Sequence, residues 1–104
     1  MPTVEIAGKQ VQVNDEGFMT VYEEWNEDIA KELAKQIEIE MTDDHWKIIK
    51  FLRDDFKSQG ETATSRRVQT VGGVAVKDQF VLFPKKPAKK MAYIAGLPKP
   101  KGCV

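Results

Sequence analysis

The sequence has little of several residue types that mark large classes of protein. Its 104 residues include one cysteine and one histidine. An intrachain disulfide is therefore excluded, and no cluster of cysteine and histidine is available for a zinc site. No apolar run approaches the roughly 18 residues that span a membrane. The first residues have neither the basic nor the apolar segment of a secretion signal. We expect a cytoplasmic chain that needs no cofactor and no metal.

What the chain does have is the composition of one modest globular domain, with 41% hydrophobic and 31% charged residues. Its net charge of zero is unevenly divided. Residues 1–61 carry 15 acidic and 7 basic side chains, whereas residues 62–104 carry one acidic side chain, Asp78, and 9 basic ones. The two halves could attract each other in the fold. The basic half could also bind an acidic partner or a phosphate backbone.

The first third of the chain predicts a hairpin followed by a helix. Apolar and polar residues alternate over residues 4–6 and 11–13, with small residues between them, which is typical of a β-hairpin. Asn26 then provides an N-cap for a helix over about residues 27–38. Trp25 precedes this cap, where it is expected to pack on Ala30.

Thr42 begins the clearest helix, which Gly60 ends. Its capping box is expected to be incomplete, because His45 stands where a glutamate or glutamine completes that motif. His45 itself is expected to have a structural or surface role. The aspartate pairs 43–44 and 54–55 are expected to be solvated or helix-start charges.

Residues 62–71 predict a short helix capped at Thr62 or Thr64. Together with the long helix before it, this segment has the outline of a helix-turn-helix. Arg66 and Arg67 would then be the residues that contact nucleic acid. The signal is weak, because many helical domains have this outline. Binding of nucleic acid is therefore kept as an alternative function.

The segment 74–83 fits either a helix or a strand, and residues 80–83 are expected to be buried. Pro87 suits the first turn of a helix over about residues 87–94, which Gly96 ends. The fold class is therefore mainly α (α+β): a small helical bundle with an N-terminal β-hairpin.

An extended C-terminal arm completes the expected architecture. Two prolines at alternate positions forbid a helix, and few residues there can be buried, so we expect residues 1–96 to form the domain and 97–104 a flexible arm. Beyond the boundary glycine Gly96, the arm consists of Leu97, Pro98, Lys99, Pro100, Lys101, Gly102, Cys103 and Val104.

Cys103 is the most informative residue, because a thiol on such an arm can enter another protein's active site. The thiolate is the reactive form. Lys99 and Lys101 favour it, the carboxylate of Val104 opposes it, and Gly102 allows close approach of the backbone. From the residues alone, a functional and an incidental thiol stay equally open. Arg53 lies on the apolar stripe of the long helix, where it could form an ion pair or support the arm.

The chain resembles the DsrC/TusE family, which includes the gamma-type partner of dissimilatory sulfite reductase and a sulfur-relay protein. The ending carries most of this resemblance: Leu82-Phe83-Pro84-Lys85, Pro87-Ala88-Lys89, the run from Ile94 to Pro100, and Cys103. The pattern of Thr42, His45-Trp46 and Phe51-Leu52-Arg53-Asp54 adds to it, as does Asp15-Glu16-Gly17-Phe18.

The resemblance implies a helical domain whose arm cysteine, here Cys103, carries sulfur as a persulfide between protein partners. The chain would then be a sulfurtransferase-type carrier rather than a self-contained enzyme. Its partners would be a protein donor and a protein acceptor: a sulfur-relay complex, a tRNA-thiolating enzyme or a sulfite reductase. No membrane is implied, and direct binding of nucleic acid is not expected. A further alternative is a non-catalytic partner subunit of a sulfite reductase.

Two departures from the family pattern matter. The sulfite-reductase branch has a second cysteine that ten intervening residues separate from the last one, and Ala92 stands at that position here. Chemistry that needs two thiols is therefore excluded within this chain. Residues 60–80 match the family poorly, and they are expected to influence which partner is chosen.

Overall fold

The chain opens with the hairpin that its alternating residues predict, in a computed structural model that describes residues 3–100. Strand β1 (Thr3–Ile6) pairs antiparallel with β2 (Lys9–Gln12). Ala7 and Gly8 between them have φ values of 52° and 79°. Positive φ at both central residues is what a two-residue type I′ turn requires, and this turn matches the twist of the strands.

Five α-helices follow in the described part of the chain: α1 (Glu27–Gln36), α2 (Asp43–Gln59), α3 (Ser65–Thr70), α4 (Val76–Leu82) and α5 (Pro87–Ile94). A short 3-10 helix, Tyr22–Glu24, precedes α1. The predicted class, mainly α with an N-terminal hairpin, is confirmed. Among these helices, none is both long and apolar enough to cross a bilayer.

The core forms where α1 and α2 pack against α5. Ile49 and Leu52 of α2 and Met91 of α5 have no more than 1% of their surface exposed. A second cluster lies between the hairpin and α1, where Val11 and Ile29 are fully buried. α5 therefore lies centrally in the domain.

Local caps set the ends of the helices. The Asn26 side chain accepts a hydrogen bond from the backbone N–H of Ile29 (2.8 Å) at the start of α1. At the end of α2, Gly60 adopts the left-handed conformation with φ 75°. Thr64, rather than Thr62, caps α3 through its hydroxyl and the N–H of Arg67 (3.2 Å).

His45 corrects the expectation that the capping box of α2 is incomplete. The backbone N–H of Thr42 donates to Nδ1 of His45 (3.1 Å), so the imidazole does what a glutamate does in the usual motif. Its Nε2 lies 2.8 Å from the carbonyl oxygen of Leu82. Because a carbonyl only accepts, Nε2 carries the proton. The buried ring therefore has a structural role, as predicted, and joins α2 to α4.

The segment before Pro84 corrects a second expectation. Residues 76–82 are helical, but Phe80 and Val81 are 46% and 71% exposed rather than buried. The helical period turns Gln79 and Phe83, four residues apart, towards the core instead. The Gln79 amide is buried because its Nε2 donates to two backbone carbonyls, those of Ser65 and Val74. The run of apolar residues thus indicates a segment that packs on the core, but not which of its side chains face inward.

Candidate functional site

The arm begins at the C-terminal end of α5, where the backbone forms a Schellman turn. The N–H of Leu97 donates to the carbonyl of Ala92 (3.1 Å), and the N–H of Gly96 donates to the carbonyl of Tyr93 (3.3 Å). These are the two hydrogen bonds that define the motif, and they need a left-handed residue between them. Gly96 supplies it, with φ 69°. The glycine that the sequence predicts as the stop of α5 therefore sets the direction of the chain that follows.

Trp25 covers this turn from the other side of the domain. Its indole N–H donates to the carbonyl of Ile94 (2.9 Å). Its ring also lies so close to Gly96 that a Cβ placed there would be 2.3 Å from Cδ1. The sequence predicts for Trp25 a contact with Ala30, and it holds no signal of this contact with a residue 69 positions away.

Arg53 binds the next carbonyl along the chain. Its guanidinium donates to the carbonyl of Ala95 (2.8 Å) and to that of Tyr22 (2.9 Å). It lies between two aromatic rings, 3.9 Å from the centre of Tyr22 and 4.1 Å from that of Trp25. Burial lowers the pKa of Arg53 from its ordinary value, while Tyr22 and Glu23 nearby raise it. Arg53 therefore lies beside Ala95, two residues before Leu97, the first residue assigned to the arm.

The first residues assigned to the arm lie against the domain. Leu97 is fully buried within the main core cluster. The hydroxyl of Thr62 donates to the carbonyl of Pro98 (2.7 Å), which the cap prediction for Thr62 did not indicate. Lys99 forms an exposed ion pair with Glu16, with 3.4 Å between Nζ and Oε2. Leu97 thus anchors the arm to the core, whereas the sequence suggested that the mobile part starts there.

The remaining arm residues, Lys101, Gly102 and Cys103, lie outside the described residues, as does Val104. Pro100, the last described residue, is buried. Ala92, at the position of the second cysteine in the sulfite-reductase branch, is fully buried in α5. A side chain at that position therefore faces the interior of the domain.

A cleft with a volume of about 560 Å³ lies on the outer side of the residues that hold the arm. Its lining includes Tyr22, Trp25 and Arg53, together with Trp46 and Ile49 of α2. Trp46 is half-buried and packs against the core, as its apolar spacing predicts. The same aromatic side chains thus face both this cleft and the root of the arm.

The two arginines proposed as nucleic-acid contacts have different surroundings. Arg66 is exposed. Arg67 donates from Nε and an Nη to the two carboxylate oxygens of Asp55, at 2.8 and 2.7 Å. This hydrogen bonding raises the pKa of Arg67. Asp55 is buried, which corrects the expectation that both aspartates of the 54–55 pair are solvated; Asp54 is exposed. Arg67 therefore joins α3 to α2.

Within residues 3–100, no three side chains of histidine, cysteine, aspartate or glutamate group so as to hold a metal ion. The polar contacts around the arm are instead made by one arginine, one indole and one hydroxyl to backbone carbonyls. This arrangement holds the segment of chain that follows α5.

Comparison with known proteins gives consistent matches over the whole chain. A family model described as DsrC like protein matches residues 5–104. Sulfurtransferase TusE of Photorhabdus laumondii is 36% identical, over 93% of this chain and 94% of its own length. The gamma subunit of the dissimilatory-type sulfite reductase of Nitratidesulfovibrio vulgaris is 34% identical, over the full length of both chains.

A solved structure is similar as well. The oxidized gamma-subunit of the dissimilatory sulfite reductase (DsrC) from Archaeoglobus fulgidus superposes with a TM-score of 0.78 and 39% sequence identity. The superposition covers 99% of this chain and 100% of that one. The two chains therefore share one fold.

Proposed function

Because the chain belongs to the family of DsrC-like proteins, we propose that it is a sulfur carrier, which accepts sulfur as a persulfide on Cys103 and passes it to a partner enzyme. One observation carries this proposal: the family match extends to residue 104 and includes the single cysteine of the chain. The names of the relatives, a sulfurtransferase and a sulfite reductase subunit, both point to sulfur handled with protein partners.

Sulfur transfer on a thiol needs no redox cofactor. The Cys103 thiolate attacks the outer sulfur of a donor persulfide, R–S–SH. A sulfur–sulfur bond to Cys103 forms while the donor's sulfur–sulfur bond breaks, and the donor leaves as the thiolate R–S⁻ with the bonding electron pair. The products are Cys103–S–SH and R–S⁻, so atoms, charge and electrons balance. Delivery follows the same step: a thiolate of the acceptor attacks the outer sulfur of Cys103–S–SH, and Cys103 leaves as the thiolate.

The arm gives this thiol a limited reach. Cys103 stands six residues beyond Leu97, which is fixed in the core. A fully extended chain spans at most about 3.6 Å per residue, so the Cα atom of Cys103 lies no farther than about 22 Å from that of Leu97. This length suits entry into the active site of a partner. Because Ala92 replaces the second cysteine, the persulfide cannot be resolved by another thiol of the chain, and a partner must remove it.

The proposal is tested by the intact mass of the protein after incubation with a persulfide donor. Wild type should gain one sulfur, about 32 Da, that a reductant removes, as expected for a persulfide. The matched control is Cys103→Ser, which should fold normally and gain nothing. Sulfur loading on Cys103→Ser, or no loading of wild type from several donors, would exclude Cys103 as the carrier.

The acceptor decides which branch of the family the chain serves. In a strain of Escherichia coli that lacks its own TusE, restored 2-thiouridine in tRNA would place the chain in tRNA thiolation. Loss of that restoration in Cys103→Ser would tie it to the thiol. Loading with sulfur but no restoration of tRNA thiolation would favour a partner in dissimilatory sulfur metabolism instead.

The nucleic-acid alternative has no support from the relatives. It predicts salt-dependent binding of DNA or RNA that needs Arg66 and Arg67 but not Cys103. Because Arg67 forms an ion pair with Asp55, its charge is partly neutralised and attracts a phosphate less strongly. Binding of a duplex that Arg66→Ala abolishes would be needed to bring this alternative forward.

A further inference from the structure

All the carbonyl groups at the C-terminal end of α5 have hydrogen-bond partners. A helix leaves its last four carbonyls without partners within the helix. Here Met91 accepts from the N–H of Ala95, and the Schellman turn satisfies Ala92 and Tyr93. The two carbonyls that this turn does not reach belong to Ile94 and Ala95. They accept from the side chains of Trp25 and Arg53.

These two side chains come from distant parts of the sequence. Trp25 follows the 3-10 helix, and Arg53 lies in α2. Arg53 stacks on the ring of Trp25, so the two side chains also hold each other in place. A guanidinium that binds two carbonyls while stacked on a ring cannot be replaced by a lysine without loss, because an ammonium lacks the planar fork.

We propose that Trp25 and Arg53 are positioning residues for sulfur delivery: they make the root of the arm rigid and so fix the direction in which Cys103 is presented. The inference rests on the proposed function, but its structural content is independent of sulfur. Buried Leu97 also holds the root of the arm, and the hydrogen bond from Thr62 to Pro98 fixes one further residue. The root of the arm is then held through Pro98, although the left-handed glycine at 96 would suggest a hinge there.

A rigid root has a physical advantage for transfer between proteins. Each residue that moves freely widens the volume searched by the thiol and lowers its effective concentration at the partner's active site. With Leu97 and Pro98 fixed, only the last residues must be ordered when the arm enters a partner. The cleft exposes the side chains of Trp25 and Arg53 to solvent, so they lie at the surface of the domain rather than deep in the core.

Amide hydrogen exchange tests the rigid root in the full chain. The variants are Arg53→Lys, which keeps the charge but lacks the planar fork that binds two carbonyls, and Trp25→Phe, which keeps a ring and removes the indole hydrogen bond. We expect the amide of Leu97 to exchange faster by on the order of tenfold, the effect of losing one such bond. The matched controls are Arg66→Lys and Trp46→Phe, whose polar groups form no hydrogen bond that the structure shows in residues 3–100. Exchange of Leu97 in the controls should match wild type.

A nitroxide attached to the single cysteine gives a second readout. In wild type, the nitroxide should broaden the NMR signals of backbone amides over a limited part of the surface. In Arg53→Lys and Trp25→Phe, this quenching should be weaker and should extend over more of the surface. Two results would overturn the proposal. One is an unchanged quenching pattern and Leu97 exchange rate in both variants. The other is faster exchange spread evenly over α5, which would mean that the side chains merely stabilise the fold.

Neither measurement depends on sulfur. Persulfide loading of Cys103 by a small donor is measured separately on the same variants, and it should stay at the wild-type level because it needs only an accessible thiol. Failure of loading in wild type would remove the proposed function and leave the rigid root standing. Normal loading, together with Leu97 exchange and nitroxide quenching that stay unchanged in both variants, would remove the rigid root and leave the proposed function standing.

Discussion

Gly96→Ala is the substitution that most directly tests the packing at the root of the arm. The new Cβ would lie 2.3 Å from Cδ1 of Trp25 and 2.9 Å from its Cγ. Overpacking of this kind usually costs about 1–3 kcal/mol. The left-handed φ of 69° adds about 1–2 kcal/mol for any residue with a Cβ. We therefore expect the free energy of unfolding to fall by about 2–5 kcal/mol in total.

Gly60→Ala provides a matched control. Gly60 also follows a helix with a left-handed φ, 75°, but a Cβ there would meet no atom within 4 Å. It should lose only the conformational term of about 1–2 kcal/mol. For a domain of this size, 1 kcal/mol corresponds to about 4–8 °C, so thermal unfolding followed by circular dichroism resolves the two variants.

The background of Trp25→Ala isolates the contact itself. There the Gly96→Ala change should cost no more than Gly60→Ala does, because the ring that the Cβ meets is gone. This difference is the coupling energy between the two positions. Equal destabilisation by Gly96→Ala and Gly60→Ala in the wild-type background would refute the reasoning, since it would show that Trp25 does not press on the turn.

Two further predictions concern the helices around the arm. Asp55→Asn should lower the melting temperature because it removes the charge that binds Arg67 in a buried position, whereas the same change at exposed Asp54 should leave it nearly unaltered; equal effects of the two would contradict the pairing. Phe83→Ala should cost about 3–5 kcal/mol in chemical denaturation because the ring is fully buried. Val81→Ser should stay within about 0.5 kcal/mol because Val81 is 71% exposed, and a large loss there would mean that α4 packs by another face.

Much of the scaffold could be predicted from local signals in the sequence. The small-residue pair between alternating segments indicates the hairpin, and Pro87 followed by Gly96 delimits α5. Asn26 marks the start of a helix because its side chain caps a backbone N–H, and Gly60 marks the end of one because a residue without a Cβ adopts the left-handed conformation readily. These features depend on residues close together in the chain, and for that reason a single sequence is enough to find them.

The contacts that position the arm could not be predicted in this way. Trp25 and Ile94 are 69 residues apart, and nothing in either segment indicates the other. Arg53 was recognised because a charged residue on an apolar stripe needs a partner, but its partner, the carbonyl of Ala95, is a backbone group present in every residue. Asp55 could not be told from Asp54 because both are aspartates near one helix end, and only the packing of α3 buries one of them.

The family resemblance supplied what the local patterns could not, namely the role of the cysteine. From the residues alone, a lone thiol near Pro98 and Pro100 was open between a functional and an incidental group. The ending of the sequence resembles one family specifically, and the family match includes Cys103. The C-terminal residues do not identify the donor or the acceptor, because each transfer also depends on residues of the partner.

The most direct test of the account follows one sulfur atom through the protein. The chain is loaded from a persulfide donor that carries heavy-isotope sulfur, separated from the donor, and then exposed to an acceptor thiol. The account predicts that wild type first holds the heavy atom on Cys103 and then passes it to the acceptor, while Cys103→Ser neither holds nor passes it. Heavy sulfur that reaches the acceptor equally well with Cys103→Ser, or that stays on wild type however much acceptor is added, would contradict the claim that this chain is a sulfur carrier.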